Sequence, residues 1–422
     1  MKNMDKEKLK EILLDQKFSF TNKRNLIDRD ISLDKYLSTS QIVVISGVRR
    51  CGKSSLLSII KNKLSLNEED YCYFNFDDER IVADVNVMND IYALHLELYK
   101  KEPIFFFDEI QVIKGWEKFV NRMYESGHKI FVTGSNAKLL SSEISTSLTG
   151  RNKVIDLFPF SFSEYLLYIN HKYDIERLTT KQKSLLLSDF QSYLEYGGFP
   201  LIVKENDIDI INSWFQDILY RDIVSRYNLV QVNEIKLIAL YLFSNIGKLF
   251  SYSTLKSISE VKSLSSIKNY LQYFELSYLF FYLSKFDFSM KKQIGNSKKV
   301  YTIDNAVANK LGFRFSENKG RLLENLVFLE LLRRGKEIYY FSEKYECDFL
   351  IKEGVEIVEA IQVTYDLNIL NKDREFNGLK EAMNRYNIKS GIIIINDSTD
   401  IEIEDKNIRV IPAYKWLCRE KW

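Results

Sequence analysis

Eight residues, Gly47-Val48-Arg49-Arg50-Cys51-Gly52-Lys53-Ser54, constrain the fold of this 422-residue chain more than any other stretch. Their spacing is G-x-x-x-x-G-K-S/T. The apolar run Ile42-Val43-Val44-Ile45 predicts a buried strand before them, and Ser55-Leu56-Leu57-Ser58-Ile59-Ile60 predicts a helix after them. Glycine at two of the positions lets backbone N–H groups close around a phosphate at the positive end of that helix. Lys53 then reaches the β- and γ-phosphates, and the Ser54 hydroxyl can ligate Mg²⁺. The expected cofactors are therefore ATP and Mg²⁺, held by residues 47–54 with Ser55 beside them. A glycine turn could match the spacing by chance, but the flanking strand and helix argue against that.

Bulk properties narrow the class. The length predicts two to four domains. A net charge of +2 gives no whole-molecule field for nucleic acid, so such a partner would need a local basic patch. Cys51, Cys72, Cys347 and Cys418 are scattered without metal-ligand spacing, as are His95, His128 and His171, which argues against a zinc site. The first eight residues hold no apolar signal-peptide core, and runs such as Tyr278–Leu283 are too short to span a bilayer. A cytoplasmic protein with no membrane partner is expected.

Residues 38–160 alternate short apolar runs with helical patterns, which predicts a parallel α/β sheet as the core of the segment 1–160. The predicted strands are Ile42–Ser46, Cys72–Phe76, Ile104–Phe107, Ile130–Thr133 and Val154–Leu157. Residues 161–234 read as a helical connector broken at Gly197-Gly198-Phe199-Pro200. Residues 235–317 show three helical patterns and two extended runs flanking Gly295-Asn296, the order of a winged helix. Residues 318–422 form a second α/β unit with a helix at Leu322–Leu332 and strands at Tyr339–Phe341, Asp348–Ile351, Ile357–Val363 and Gly391–Ile395.

Ile104-Phe105-Phe106-Phe107 ends in Asp108-Glu109. After a phosphate loop, this pattern places Asp108 beside Mg²⁺ and Glu109 beside the attacking water. Lys129–Thr133 ends in Gly134-Ser135-Asn136, where either Ser135 or Asn136 could hold the γ-phosphate or the water, or cap the next segment. Arg151 follows Gly150 and a Ser/Thr-rich stretch. It could approach a neighbouring subunit's phosphate, its own nucleotide, or a surface carboxylate.

Taken together, Gly47–Ser54, Asp108-Glu109-Ile110-Gln111, Thr133-Gly134-Ser135 and Gly150-Arg151 through Phe162 resemble the AAA-superfamily ATPases of bacteria and archaea that carry a C-terminal domain of unknown function. Tyr196–Pro200 and Gly320–Asn325 extend the likeness from about residue 20 to the end. The resemblance implies an ATPase, an oligomer in which Arg151 acts in trans, and a contact of Pro200 with adenine, although a Gly-Gly-Phe-Pro turn explains Pro200 equally well. It also implies a restriction-endonuclease-like C-terminal domain, with Glu324 and Asp348 in its two acidic places and Gln362 and Thr364 where an acid and a lysine belong. A neutral amide and a hydroxyl cannot replace those groups, so a degenerate, non-cleaving centre is expected. Glu359, three positions before Gln362 on a strand, points to the other face.

Lys256, Lys262 and Lys268, with wing lysines 285, 291, 292, 298 and 299, could contact the phosphates of double-stranded DNA or simply be a solvated face. Tyr270, Tyr273 and Phe274 sit at helical spacing and read as core. The expected function is Mg²⁺-dependent ATP hydrolysis that switches domain arrangement in a homo-oligomer. Its rivals are an ATP-regulated nuclease and a nucleotide-sensing scaffold with little turnover.

Overall fold

Strand β1 (Ile42–Gly47) is buried at every position, as a run with no polar alternation must be when helices cover both faces of its sheet. Its neighbours are β2 (Tyr71–Asn75), β3 (Ile104–Asp108), β4 (Ile130–Gly134) and β5 (Asn152–Leu157), in the order β2-β3-β4-β1-β5 with every pairing parallel. The computed structural model describes residues 5–82, 84–135, 150–313, 318–399, 401–403 and 405–418. The chain divides into two units, Met1–Phe158 and Pro159–Trp422.

In the first unit all five predicted strands are present, shifted by at most two residues at either end. The N-terminal helix Lys6–Thr21 buries Leu9, Ile12, Leu13 and Phe20, and Phe20 stacks on Tyr73 of β2 with ring centroids 3.9 Å apart. Helix Lys53–Lys63 leaves the end of β1 through a loop in which Gly52 takes φ +104°, a conformation glycine adopts without penalty. Gly47 is required for a second reason. A Cβ there would lie 2.2 Å from the Leu157 carbonyl oxygen of the adjacent strand.

In the second unit, helices Val232–Ser244, Tyr252–Ser259 and Leu264–Leu276 accompany a small antiparallel sheet. Its strands β6 (Leu249–Phe250), β7 (Phe280–Leu283) and β8 (Lys298–Thr302) run in the order β6-β8-β7. The connection between β7 and β8 is not a plain turn at Gly295-Asn296. A short helix, Met290–Gly295, fills it, because Met-Lys-Lys-Gln are good helix formers and the glycine ends their run. Tyr270 and Phe274 are buried, and Tyr273 stacks on Tyr227, so these aromatics do serve the core.

The last part is a mixed sheet of β9 (Glu337–Ser342), β10 (Glu346–Glu353), β11 (Glu356–Val363), β12 (Gly391–Ile395) and β13 (Ile408–Pro412), ordered β13-β12-β11-β10-β9. Helix Lys319–Arg333 lies before it in the chain, and helix Lys372–Tyr386 joins β11 to β12. The sequence reading missed that second helix and β13. The pairing of β10 with β9 shifts register between Cys347 and Leu350, the stretch that carries Asp348.

Candidate functional site

The parallel register brings the phosphate loop, the end of β3 and the end of β4 to one edge of the first sheet. Lys53 is buried there, with its Nζ 3.1 Å from the Gly47 carbonyl, 3.2 Å from the Val48 carbonyl and 3.5 Å from Glu109 Oε1. Burial works against its charge, but Glu109, Cys51 and Asp108 outweigh that and hold the ammonium above its ordinary range. The same contact works in reverse on Glu109. Burial pushes its carboxyl up, yet Lys53, the Gln111 amide and Arg49 bring it below the usual glutamate value. Gln111 Nε2 donates to Glu109 Oε2 at 2.6 Å.

Asp108 differs. It is 1% exposed, and burial together with the Glu109 charge raises its pKa. Hydrogen bonds from Ser54 and Thr133 act against that rise. Thr133 Oγ1 donates to Asp108 Oδ1, and the Tyr73 hydroxyl donates to Oδ2 at 3.2 Å. Thr133 Oγ1 also accepts the Glu109 backbone N–H at 2.9 Å, which holds Glu109 at φ +50°. Two adjacent carboxylates are thus pushed apart in acidity, an arrangement suited to one acting as base while the other holds a cation.

The donor set fits a hard divalent cation. Ser54 and Asp108 are bonded to each other and offer only oxygen. Among the described residues, buried Gln111 Oε1 has no hydrogen-bond partner, and Gln111 Nε2 lies 3.4 Å from Ser135 Oγ. Ser135, Gln111 and Glu109 therefore form one chain of contacts. Asn136 lies outside the described residues. Gln111 and Thr133 stood in the sequence only inside motifs that carry the family resemblance, with no role of their own, and Tyr73 only within a predicted strand. Thr133 was legible as the last residue of a buried strand and the first of the Thr133-Gly134-Ser135 motif, but its hydrogen-bond partners depend on which strand stands beside it.

The loop residues have separate fates. The Cys51 thiol is fully buried and its pKa is raised by burial, so its backbone is what faces the loop. The Cys51 carbonyl accepts from Arg29 Nη1 at 3.2 Å, and the same guanidinium reaches the Phe158 carbonyl at 2.6 Å. Arg49 sits 3.7 Å from Asp77, Arg50 takes φ +68°, and Ser55 lies in the first turn of helix Lys53–Lys63, after Ser54.

Arg151 is placed by register. It precedes Asn152, which pairs with Ile42, whereas the phosphate loop follows Gly47 at the other end of the same strand. Five strand residues separate the two ends, roughly 17 Å. Contact of Arg151 with its own phosphate loop is therefore ruled out. Its Nη1 donates to Asn121 and lies 2.8 Å from Glu125 Oε1, both on helix Trp116–Glu125. Pro200 starts helix Pro200–Glu205 after Gly197 (φ +69°), where its fixed φ suits the first helical turn.

In the second unit, Glu324, Asp348 and Gln362 come together, but their surroundings correct the sequence reading. Lys299 is not a wing lysine available to DNA. It is 2% exposed, and its Nζ lies 3.0 Å from Glu324, 2.7 Å from Glu346 and 2.8 Å from Asp348. Burial lifts the Glu324 carboxyl to about 7, with Lys299 pulling against it. Gln362 Nε2 donates to Glu375 at 2.7 Å, and Thr364 Oγ1 to the Asp366 carbonyl at 3.0 Å. Glu359 lies instead near Arg409, Lys336 and Arg334, as strand alternation requires.

A family model for an AAA domain matches residues 39–166. Two domains of unknown function, DUF8612 and DUF4143, match residues 187–318 and 319–416. An uncharacterized protein of Methanocaldococcus jannaschii is 38% identical over 96% of this chain and 94% of its own length. The chain belongs to that protein's family, one built on an N-terminal AAA domain. A further relative of this AAA-domain family, an uncharacterized protein of Haemophilus influenzae, is 31% identical over 92% of this chain and 96% of its own. Among solved structures, the Thermotoga maritima RuvB Holliday junction branch migration motor covers 65% of this chain and 87% of itself at 13% identity, with a TM-score of 0.28. The replication initiator DnaA bound to AMPPCP and single-stranded DNA covers 64% of this chain and 86% of itself at 16% identity, with a TM-score of 0.24. None of the helices among the described residues is long and apolar enough to cross a membrane.

Proposed function

We propose that this AAA-domain protein hydrolyses ATP at the edge of its first sheet, with nucleotide state governing the arrangement of the remaining domains. The observation that carries the reading is the Lys53 ammonium lodged between two loop carbonyls and Glu109. Triphosphate oxygens are stronger partners for that ammonium than neutral carbonyls. Once Lys53 turns to phosphate, Glu109 loses the partner that most lowers its pKa and becomes a stronger base for a water, with Gln111 and Ser135 linked to it by hydrogen bonds. Ser54 and Asp108 would hold Mg²⁺, which when bound would neutralise charge between the β- and γ-phosphates.

Arg151, at the opposite end of the sheet, is proposed to serve a neighbouring copy's nucleotide in a homo-oligomer, leaving Glu125 to do so. Contact of Pro200 with adenine and a role for Asn136 belong to the same proposal. The three helices and small sheet of residues 235–317 are read as a winged helix. Its exposed Lys256, Lys262, Lys268, Lys291 and Lys292 are the candidate contacts for double-stranded DNA. The C-terminal sheet is read as a restriction-endonuclease-like domain that binds rather than cuts, in a protein of the cytoplasm.

Turnover of ATP by purified protein, with and without double-stranded DNA, tests the reading. Lys53→Ala is expected to lose nucleotide binding. Glu109→Gln is expected to keep binding while turnover drops by about 10²–10⁴-fold, the usual contribution of a general base. Unchanged turnover in Glu109→Gln would remove Glu109 from the mechanism.

A further inference from the structure

The acidic centre of the second unit is assembled from helix Lys319–Arg333, which supplies Glu324, and from β10, which supplies Glu346 and Asp348. Three carboxylates so close need a counter-charge, and neither Gln362 nor Thr364 carries one. Lys299 meets that need from β8, a strand of a different sheet. An ammonium has three N–H donors, and each carboxylate places one oxygen within 2.7–3.0 Å of Nζ. Two positions along β8, on the same strand face, the Tyr301 hydroxyl donates to Glu324 at 2.6 Å. The second oxygen of Asp348 accepts the Val363 N–H at 2.9 Å, and the Asp348 N–H donates to Gln362 Oε1 at 3.3 Å. Lys299, Glu324 and Asp348 are buried and bonded within the cluster, while the Glu346 carboxylate reaches Lys299 from an exposed position.

We infer that this centre is a cation site whose permanent occupant is the chain's own Lys299. The ammonium takes the place a divalent metal would otherwise fill, and it fastens the β6-β8-β7 sheet to the C-terminal sheet. Gln362 and Thr364 on and beside β11 bring no charge of their own, so the internal cation is what balances the remaining carboxylates without a metal. Gly247 closes the centre further. At φ +71° it lies so near that a Cβ would stand 2.9 Å from Glu324 Oε2. The inference is independent of ATP hydrolysis, because no nucleotide enters its test, so either can fail alone.

Two measurements on the full chain without nucleotide test it. In the wild type, limited acetylation read by mass spectrometry is expected to modify exposed Lys291 and Lys292 and to spare Lys299, with and without millimolar Mn²⁺. Labelling of Lys299 at the rate of Lys291, or labelling that appears when Mn²⁺ is added, overturns the inference. Electron paramagnetic resonance of Mn²⁺ then compares wild type with Lys299→Gln and Lys299→Met. Each variant is expected to gain one Mn²⁺ site, and adding Asp348→Asn should weaken it by about tenfold or more, at least the loss that changes around a metal's ligands cause. A wild-type site that responds to Asp348→Asn counts against the inference, as does a folded Lys299→Gln protein with no added site. If both variants fold only with Mn²⁺ present, the metal is replacing the missing ammonium, which supports it.

Discussion

Thr133 offers the sharpest test of the nucleotide site, because one buried hydroxyl joins both carboxylates that the proposed chemistry uses. Its Oγ1 donates to Asp108 Oδ1 and accepts the Glu109 N–H at 2.9 Å, and the residue is 0% exposed. Thr133→Val keeps the shape and removes both bonds. Loss of a hydrogen bond to a charged group costs about 1.5–3 kcal/mol, and a stranded buried N–H costs about 1–3 kcal/mol. The two share one hydroxyl and do not add fully, so about 2–4 kcal/mol is expected. Thr133→Ser is the control: it retains the hydroxyl and loses one methyl group, about 1 kcal/mol. Urea denaturation of both variants measures the difference. Turnover should fall in Thr133→Val more than nucleotide affinity does, because Glu109 at φ +50° stays in that conformation only while its surroundings hold it. If the two variants agree within about 0.5 kcal/mol, the hydroxyl does not join the site as described.

Two further outcomes are expected. Burial, with Lys17 nearby, lowers the pKa of His95 from 6.5 to about 4, so the unfolded chain takes up a proton that the folded one refuses. Its contribution to stability is full above pH 6.5 and is lost as pH falls toward 4, and His95→Phe should flatten that part of the denaturation profile; an unchanged slope would contradict the assignment. Gly247→Ala should cost roughly 1–2 kcal/mol for its positive φ and more for the Glu324 contact, whereas Gly335→Ala, at φ +67° with open space around it, should cost the backbone part alone. Equal losses at the two positions in urea denaturation would show that Gly247 does not press on the acidic centre.

Much of the first unit was readable along the chain because its determinants are local. A phosphate loop needs glycines at fixed spacing, and strands buried on both faces need unbroken apolar runs, so Gly47, Gly52, Lys53, Ser54, Asp108 and five strands could be placed without coordinates. The short helix Met290–Gly295 and strand β13 escaped because neither carries a strong periodic pattern. Only the tertiary structure could decide which charges meet. Lys299 looked like one basic residue among several on a wing, and nothing within a few residues of it marks it as buried. Strand alternation turns it inward, while the three carboxylates that receive it lie 25, 47 and 49 positions further along the chain. Arg151 repeats the lesson, since the parallel register of β1 with β5 carries it to the end of the sheet away from its own phosphate loop. Backbone conformation follows from neighbours in sequence. The pairing of charge follows from neighbours in space, which this chain brings together only when its sheets form.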